Sequence, residues 1–185
     1  MLRESLHHFF VRLRRIAYRK GYGIHSPFAF DFVTRVIYGR LPRADRKMLS
    51  HLPQLQRRIE MLLWRVAIDQ QPSFIYISED FSPILRQQLN FIAPVQSIRQ
   101  WKPDVENALV CISGASDAAV LQTDLSQTDE RTKVLLTSIY VHSDASLIWD
   151  ACKPDKSVRV TFDLYDLGIL IFNKILQKQD YLISF

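Results

Sequence analysis

The stretch from Phe74 to Ile92 constrains the fold of this chain more than any other part of it. Phe74 to Ser78 is a short apolar run of the kind found in buried strands, and an acidic turn follows it. Ser82 is placed to cap a helix that has Pro83 at its first position. A strand that leads through a turn into a helix is the opening unit of an open α/β domain, and ligands of such domains bind at that turn.

The sequence after this stretch keeps alternating between short apolar runs and helical patterns, which is typical of a mostly parallel sheet with helices on its faces. We predict further strands near Val95 to Trp101, over Ala108 to Ser113 and over Lys133 to Ile139. We predict helices over Ala115 to Leu125 and over Ser143 to Cys152. The region from residue 73 onward is therefore expected to be a Rossmann-like α/β domain.

The end of the chain has a different pattern. Three apolar segments, residues 158–164, 168–172 and 179–185, are joined by connections that leave no room for a helix between the first two. Asp166-Leu167-Gly168 has the composition of a hairpin turn. We therefore predict that the C-terminal end of the sheet is antiparallel.

The first 72 residues have the periodicity of helices. Apolar residues recur at three- and four-residue steps over residues 2–20, from Ser26 to about Gly39, and from about Pro53 to Asp69. We therefore divide the chain into an N-terminal helical region, residues 1–72, and an α/β domain, residues 73–185.

The first predicted helix has an apolar stripe that must be covered by the rest of the protein or by another chain. A basic amphipathic helix can also lie on a membrane, but this stripe continues directly into structured sequence, which favours packing. We expect a homodimer, or a complex with another protein, through a contact surface that includes Leu6, Phe9, Phe10 and Leu13, with Arg12 and Arg15 beside them.

Charge is distributed unevenly along the chain. Residues 1–65 carry 14 Lys and Arg against 4 Asp and Glu, whereas residues 66–185 carry 10 against 15. Such an asymmetry fits a nucleic acid or an anionic membrane as partner, or two zones that neutralise each other within the fold or a dimer. Trp101 and Trp149 are candidates for stacking on bases near Arg99 and Lys102, but we expect both to pack under loops.

Several classes of protein are not indicated by the sequence. No apolar run approaches the ~20 residues of a membrane-spanning helix, and no secretory signal pattern opens the chain, so we expect a cytoplasmic protein. Cys111 and Cys152 have no metal-ligand spacing, and we expect both to be reduced core residues. The five histidines also lack metal-ligand spacing: His7, His8, His25, His51 and His142. No metal site is predicted.

Two segments at opposite ends of the chain resemble one protein family. Residues 21–40, GYGIHSPFAFDFVTRVIYGR, are similar to the HGIHSPFVFDLVTNVIY opening of a group of bacterial class I S-adenosylmethionine-dependent methyltransferases of the Bacteroidetes type. Residues 158–185 are similar to the end of the same group, of the form VTVTIDLFDFGIVFFRKEQAKQHFVLRF. Members of the group are longer, so the resemblance implies a shortened methyltransferase-type sheet that lacks at least one βα segment from its middle.

The resemblance also implies where S-adenosylmethionine would bind, and the matching positions here differ from the family pattern. The glycine-rich loop after the first strand corresponds to Ser78, Glu79, Asp80 and Phe81, which are bulky or acidic. The acidic residue that binds the ribose corresponds to the end of Arg99-Gln100-Trp101. An aspartate of the fourth strand corresponds to Ser113, which Gly114 follows, and the acids of the fifth strand are absent from residues 137–143.

Four losses of this kind predict a pseudoenzyme. We expect vestigial cofactor positions at Ser78, Glu79, Asp80, Phe81, Trp101, Ser113 and Gly114, no catalytic residue and no bound cofactor, in a protein kept as a binding or assembly module. One alternative is an active S-adenosylmethionine-dependent methyltransferase with an unconventional pocket, in which Glu79 or Asp80 contacts the cofactor and Tyr140 or His142 lies near the substrate. A further alternative is nucleic-acid binding through the basic N-terminal region.

Overall fold

A computed structural model describes residues 24–185 of the chain. The helix predicted over residues 2–20 lies outside this range, as do the proposed contact residues Leu6, Phe9, Phe10, Leu13, Arg12 and Arg15. The features described below all belong to residues 24–185.

Three helices precede the sheet. Helix α1, Pro27–Asp31, begins at Ser26, whose Oγ accepts a hydrogen bond from the Ala29 N–H at 3.3 Å, and it continues as a π-helical segment, Phe32–Ile37. Helix α3, Gln54–Gln70, follows the predicted third helix closely. Helix α2, Arg43–Met48, was not predicted, because none of its residues is buried and it therefore leaves no apolar periodicity in the sequence.

The remaining chain forms one seven-stranded sheet with two more helices, which confirms the α/β prediction. The strands are β1 Phe74–Ile77, β2 Val95–Ser97, β3 Ala108–Ile112, β4 Lys133–Thr137, β5 Val160–Asp163, β6 Leu167–Ile171 and β7 Gln179–Leu182. Their order in the sheet is β2-β1-β3-β4-β6-β5-β7. Helix α4, Pro83–Asn90, follows β1, and helix α5, Ser143–Cys152, follows β4.

Of the seven strands described, one runs antiparallel to the others: β6, which lies between β4 and β5. It pairs antiparallel with β4 on one side and with β5 on the other, which confirms the predicted hairpin. The turn is residues 164–166, however, and Leu167 and Gly168 of the predicted turn belong to β6, where they pair with β4. The last strand, β7, instead pairs parallel with β5. The reason is topological: β6 ends beside Val160 at the start of β5, and β7 begins beside the same residue, so it must run in the direction of β5.

Two predicted elements are shorter than expected. The strand predicted near Val95 to Trp101 ends at Ser97, and a 3-10 turn, Ile98–Gln100, follows it. The helix predicted over Ala115 to Leu125 is replaced by two 3-10 turns, Ala118–Leu121 and Leu125–Gln127. Ala118 and Leu121 are buried three residues apart, a spacing that a 3-10 turn satisfies without any further helical turns.

The sheet is buried on both faces, as parallel strands require. On one face Ile75 and Ile77 of β1 pack with residues of α1, α3 and α4. On the other face Tyr76 packs with α5 and with the 3-10 turns. Helices α1 and α3 thus share a core with the sheet. In the π-helical continuation of α1, the ring of Phe32 stacks on Phe162 of β5 with centroids 5.1 Å apart.

Gly168 of β6 provides a test of this packing. A Cβ atom at this position would lie 2.5 Å from Cζ3 of Trp149, which is fully buried on α5. We expect Gly168→Ala to lower the free energy of unfolding by about 1–3 kcal/mol in urea denaturation, because close-packed cores do not admit an added methyl group. In a Trp149→Leu background the cost should shrink, since the colliding ring atoms are gone. Equal costs in both backgrounds would contradict this explanation.

Candidate functional site

The carboxyl ends of β1, β3 and β4 lie side by side, and the loops that leave them are residues 78–82, 113–117 and 138–142. In open α/β sheets this edge is where ligands bind. All the vestigial positions predicted from the sequence except Trp101 are in the first two loops. The polar groups of these loops mostly bond to other parts of the protein.

Ser78 links the first two loops. It is fully buried, and its N–H donates to the Cys111 carbonyl at 3.0 Å. Its Oγ accepts a hydrogen bond from the Ser113 N–H at 2.9 Å. The backbone donor of Ser113 at the end of β3, which could otherwise face a ligand, is therefore used within the protein.

The two carboxylates of the turn also have partners in the protein. Asp80 Oδ2 accepts a hydrogen bond from Ser116 Oγ at 2.8 Å, and hydrogen bonds from Ser113 and then Ser116 lower the pKa of Asp80. Glu79 is largely exposed and forms an ion pair with Arg86, with 3.2 Å between Oε2 and Nη2. Asp80 thus joins the loop after β1 to the loop after β3.

The rest of the turn is anchored from the interior. Phe81 is 8% exposed, and its ring belongs to the core on the face of the sheet that α3 and α4 cover. Ser82 is the N-cap of α4, as predicted, and its Oγ accepts a hydrogen bond from the Leu85 N–H at 3.1 Å. A buried ring on one side and a helix cap on the other fix the path of the turn.

A residue that sequence reasoning missed occupies the N-terminus of α4. Glu60 of α3 is completely buried. Its Oε1 accepts hydrogen bonds from the Ser82 N–H at 3.0 Å and from Gln56 Nε2 at 2.9 Å, and its Oε2 accepts one from Ser82 Oγ. The sequence did carry a signal that Glu60 is buried, because it shares a helical face with Leu63 and Ala67, which are both buried.

The position of Glu60 has an electrostatic explanation. The N-terminus of a helix attracts anions, because its free N–H groups and its dipole both favour negative charge. A buried carboxylate is tolerated only when its oxygens receive hydrogen bonds, and Glu60 receives three. The anion position that opens the first strand–turn–helix unit is thus occupied by a side chain of the protein itself.

The second loop is closed by tight packing at Gly114. A Cβ atom there would lie 2.0 Å from the Thr137 carbonyl oxygen and 2.9 Å from the Ala145 Cβ atom. The Gly114 N–H donates to Thr137 Oγ1 at 3.2 Å. The glycine is therefore explained by the close approach of this loop to β4 and α5.

The tryptophans considered for base stacking are core residues, as expected. Trp101 is 7% exposed and Trp149 is fully buried, and both belong to the core on the α5 face of the sheet. Trp101 follows the carboxyl end of β2 after one 3-10 turn and, like Phe81, has its ring buried in the core. Neither ring is available to stack on a base.

Tyr140 and His142, which the active-enzyme alternative places near the substrate, have surroundings that differ from each other. The Tyr140 hydroxyl donates a hydrogen bond to a carboxylate oxygen of Asp163, and its ring stacks on Tyr165 with centroids 5.5 Å apart. His142 is exposed at the N-terminus of α5. The loop after β4 thus holds one tyrosine that is bonded to an acid and one histidine at the surface.

The cysteines are buried and unpaired, which confirms the prediction for them. Burial raises the pKa of both thiols, that of Cys152 to about 11. Within residues 24–185 no group of His, Cys, Asp and Glu side chains is arranged to hold a metal ion. In the same range no helix has the length and apolar character needed to cross a bilayer.

Five cavities with volumes of about 320–460 Å³ open on the described surface, and none of the five is lined by residues of the three loops. One lies at the opposite edge of the sheet, around Asp69, Lys133 and Asn173. Three others adjoin one another along α2 and α3. The cavities are thus found away from the edge where a Rossmann-like domain holds its ligand.

Comparison of the chain with protein-family models, with curated proteins and with solved structures finds no match.

The role of Glu60 can be tested by its removal. We expect Glu60→Ala to lower the free energy of unfolding by about 2–4 kcal/mol in urea denaturation, because the buried donors of Ser82 lose their acceptor. Glu79→Ala is the matched control: its ion pair is at the surface, and such pairs contribute about 0–1 kcal/mol. Similar losses for the two variants would show that Glu60 does not anchor α4.

Proposed function

We propose that this protein is a methyltransferase-like pseudoenzyme: a binding or assembly module that does not bind S-adenosylmethionine. The observation that carries the proposal is the Glu60 carboxylate at the N-terminus of α4, with all three of its hydrogen bonds made inside the protein. The fold is of the α/β class that the sequence resemblance implies, and the polar groups at its carboxyl edge bond mainly to one another.

Electrostatics supports this proposal. The methionine part of S-adenosylmethionine carries a carboxylate, and the first loop already holds the carboxylates of Asp80 and of Glu79, which is paired with Arg86, while Glu60 bonds Ser82 at the end of the loop. Like charges at short range disfavour binding unless one of them is neutralised or displaced. Displacing Glu60 would leave the Ser82 donors and the cap of α4 without their acceptor.

The hydrogen bonds of the second loop support it as well. The N–H groups of Ser113 and Gly114 donate to side chains of neighbouring elements. At the end of β2 the resemblance calls for a carboxylate toward the ribose, whereas this chain has exposed Arg99 and buried Trp101. Two backbone donors of the second loop that could face a ligand are therefore used within the protein.

Calorimetry and thermal-shift measurements with S-adenosylmethionine and S-adenosylhomocysteine test the proposal. We expect no heat of binding and no change in Tm at 1 mM ligand, with an S-adenosylmethionine-binding methyltransferase as positive control. A ligand at 100 times its Kd would stabilise the native state by about 2.7 kcal/mol, which shifts Tm by several degrees. Binding at micromolar affinity would overturn the proposal.

An active methyltransferase with an unconventional pocket is the second candidate, and the exposed carboxylate of Glu79 favours it, because that group is accessible to a ligand. In that case Glu79→Ala combined with Asp80→Ala should abolish S-adenosylmethionine binding. Binding that survives this double change would exclude this version of the enzyme.

We further propose that the module acts in the cytoplasm and self-associates through the stripe that includes Leu6, Phe9, Phe10 and Leu13. The support is the periodicity of the sequence over residues 2–20, which requires a cover for the apolar side chains. Sedimentation should give a dimer for the natural chain and a monomer for Leu6→Asp with Leu13→Asp. A monomeric natural chain would contradict self-association.

A further inference from the structure

Three neighbouring cavities along α2 and α3 share basic lining residues. The first is lined by Arg43, Arg46, Lys47, Arg57 and Met61 and has a volume of about 460 Å³. The second, of about 330 Å³, shares Arg46 and Met61 with the first. The third, of about 460 Å³, shares Arg40 and Arg65 with the second. We use the name basic groove for this surface.

The positive charge of the basic groove is largely uncompensated. Seven basic side chains line it without an ion pair to any described carboxylate: Arg40, Arg43, Arg46, Lys47, Arg57, Arg58 and Arg65. An eighth, Arg35, is paired with Asp31 and Asp69. The acidic residues lining it are Asp45 and the already paired Asp69.

Two arginines are held in place within the groove. Arg65 is half-buried, and its guanidinium donates hydrogen bonds to the carbonyls of Val36 at 2.7 Å and Ile37 at 2.8 Å. Burial lowers the pKa of Arg65 to about 10, so it stays charged at neutral pH. The Arg58 guanidinium lies 4.8 Å from the centre of the Phe185 ring. Side chains that are already ordered lose less entropy when a ligand binds.

The arrangement of the charges fits a linear polyanion. Arg43, Arg46 and Lys47 are spaced i, i+3 and i+4 and share one face of α2, while Arg58 and Arg65 are seven residues, about two turns, apart on one face of α3. Six of the seven groups are guanidinium ions, whose planar fork matches two oxygens of a phosphate. Two rows of such groups along a concave surface follow a phosphodiester chain better than a flat bilayer.

We propose that the basic groove binds the phosphate backbone of a single-stranded nucleic acid without selecting its sequence. The inference rests on the proposed function, since it names the partner of the binding module. Sequence selection is not expected, because the contacts offered are charged groups for phosphates, which carry no sequence information. The seven basic residues without a described ion pair belong to α2, α3 and the segment between α1 and α2, and none of them lies in the three loops at the carboxyl edge of the sheet.

Fluorescence anisotropy with the full chain and labelled 20-nucleotide oligomers of dT and rU tests the proposal. Between 50 and 200 mM KCl we expect the logarithm of the binding constant to fall linearly with the logarithm of salt concentration. Four to five phosphate contacts on a single strand correspond to a slope of about −3. An affinity that does not change over this salt range would overturn the proposal.

Paired variants locate the binding surface. Arg46→Ala with Arg57→Ala should weaken binding about tenfold or more and reduce the magnitude of the slope by about 1 to 1.5. The control, Arg99→Ala with Lys102→Ala, removes the same charge from exposed positions far from the groove in sequence and should change affinity less than twofold. Equal losses in the two pairs would mean that net charge, and not the groove, determines binding.

Two further measurements keep competing explanations apart. Co-sedimentation with vesicles containing 30% phosphatidylglycerol should be weaker than oligomer binding; tighter, groove-dependent vesicle binding would assign the surface to a membrane and overturn the proposal. S-adenosylmethionine calorimetry on the same samples tests the carboxyl edge separately. If the cofactor binds and oligomer binding depends on the groove, only the pseudoenzyme proposal is refuted. If neither the cofactor nor the oligomer binds, only the proposal of nucleic-acid binding by the basic groove is refuted.

Discussion

The hydrogen bonds between the Glu60 carboxylate and Ser82 are the interaction on which this arrangement most depends. They join a helix of the N-terminal region to the first helix of the α/β region, and they do so at the turn where such folds normally admit a ligand. Because both residues are buried, neither can exchange this partner for water. Helix α3 is therefore part of the domain's core.

One consequence is that the sheet edge where such folds usually bind a ligand is held together here by hydrogen bonds within the protein. The loops after β1 and β3 are linked through Ser78 and Asp80, and Gly114 ties the second loop to β4, so these polar groups stabilise the sheet edge. The uncompensated charge and the concave surface are found together on α2 and α3. This distribution of charge and cavities is what supports the proposal of an anionic partner on the helices.

Much of the fold could be predicted because its elements leave local signals. The caps of α1 and α4 follow from Ser-Pro pairs, and the buried strands follow from runs of apolar residues such as Ala108 to Ile112. Helix α2 left no such signal, and β7 could be placed only once its neighbour was known. At the candidate site, the bulky and acidic residues of the turn after β1 could be read from the sequence. The role of Glu60 could not, because its partner Ser82 is 22 residues away in the chain.

The sequence by itself determined the alternation of strands and helices, the burial of both cysteines and the excess of positive charge in the first 65 residues. These properties depend on residue type and short-range spacing, so no partner has to be known. Only the tertiary structure decided that Glu60 occupies the helix N-terminus, that Trp101 is turned into the core, and that basic residues from α2 and α3 line one groove. Such features arise from contacts between residues distant in the chain, and the folding of the sheet and helices is what brings them together.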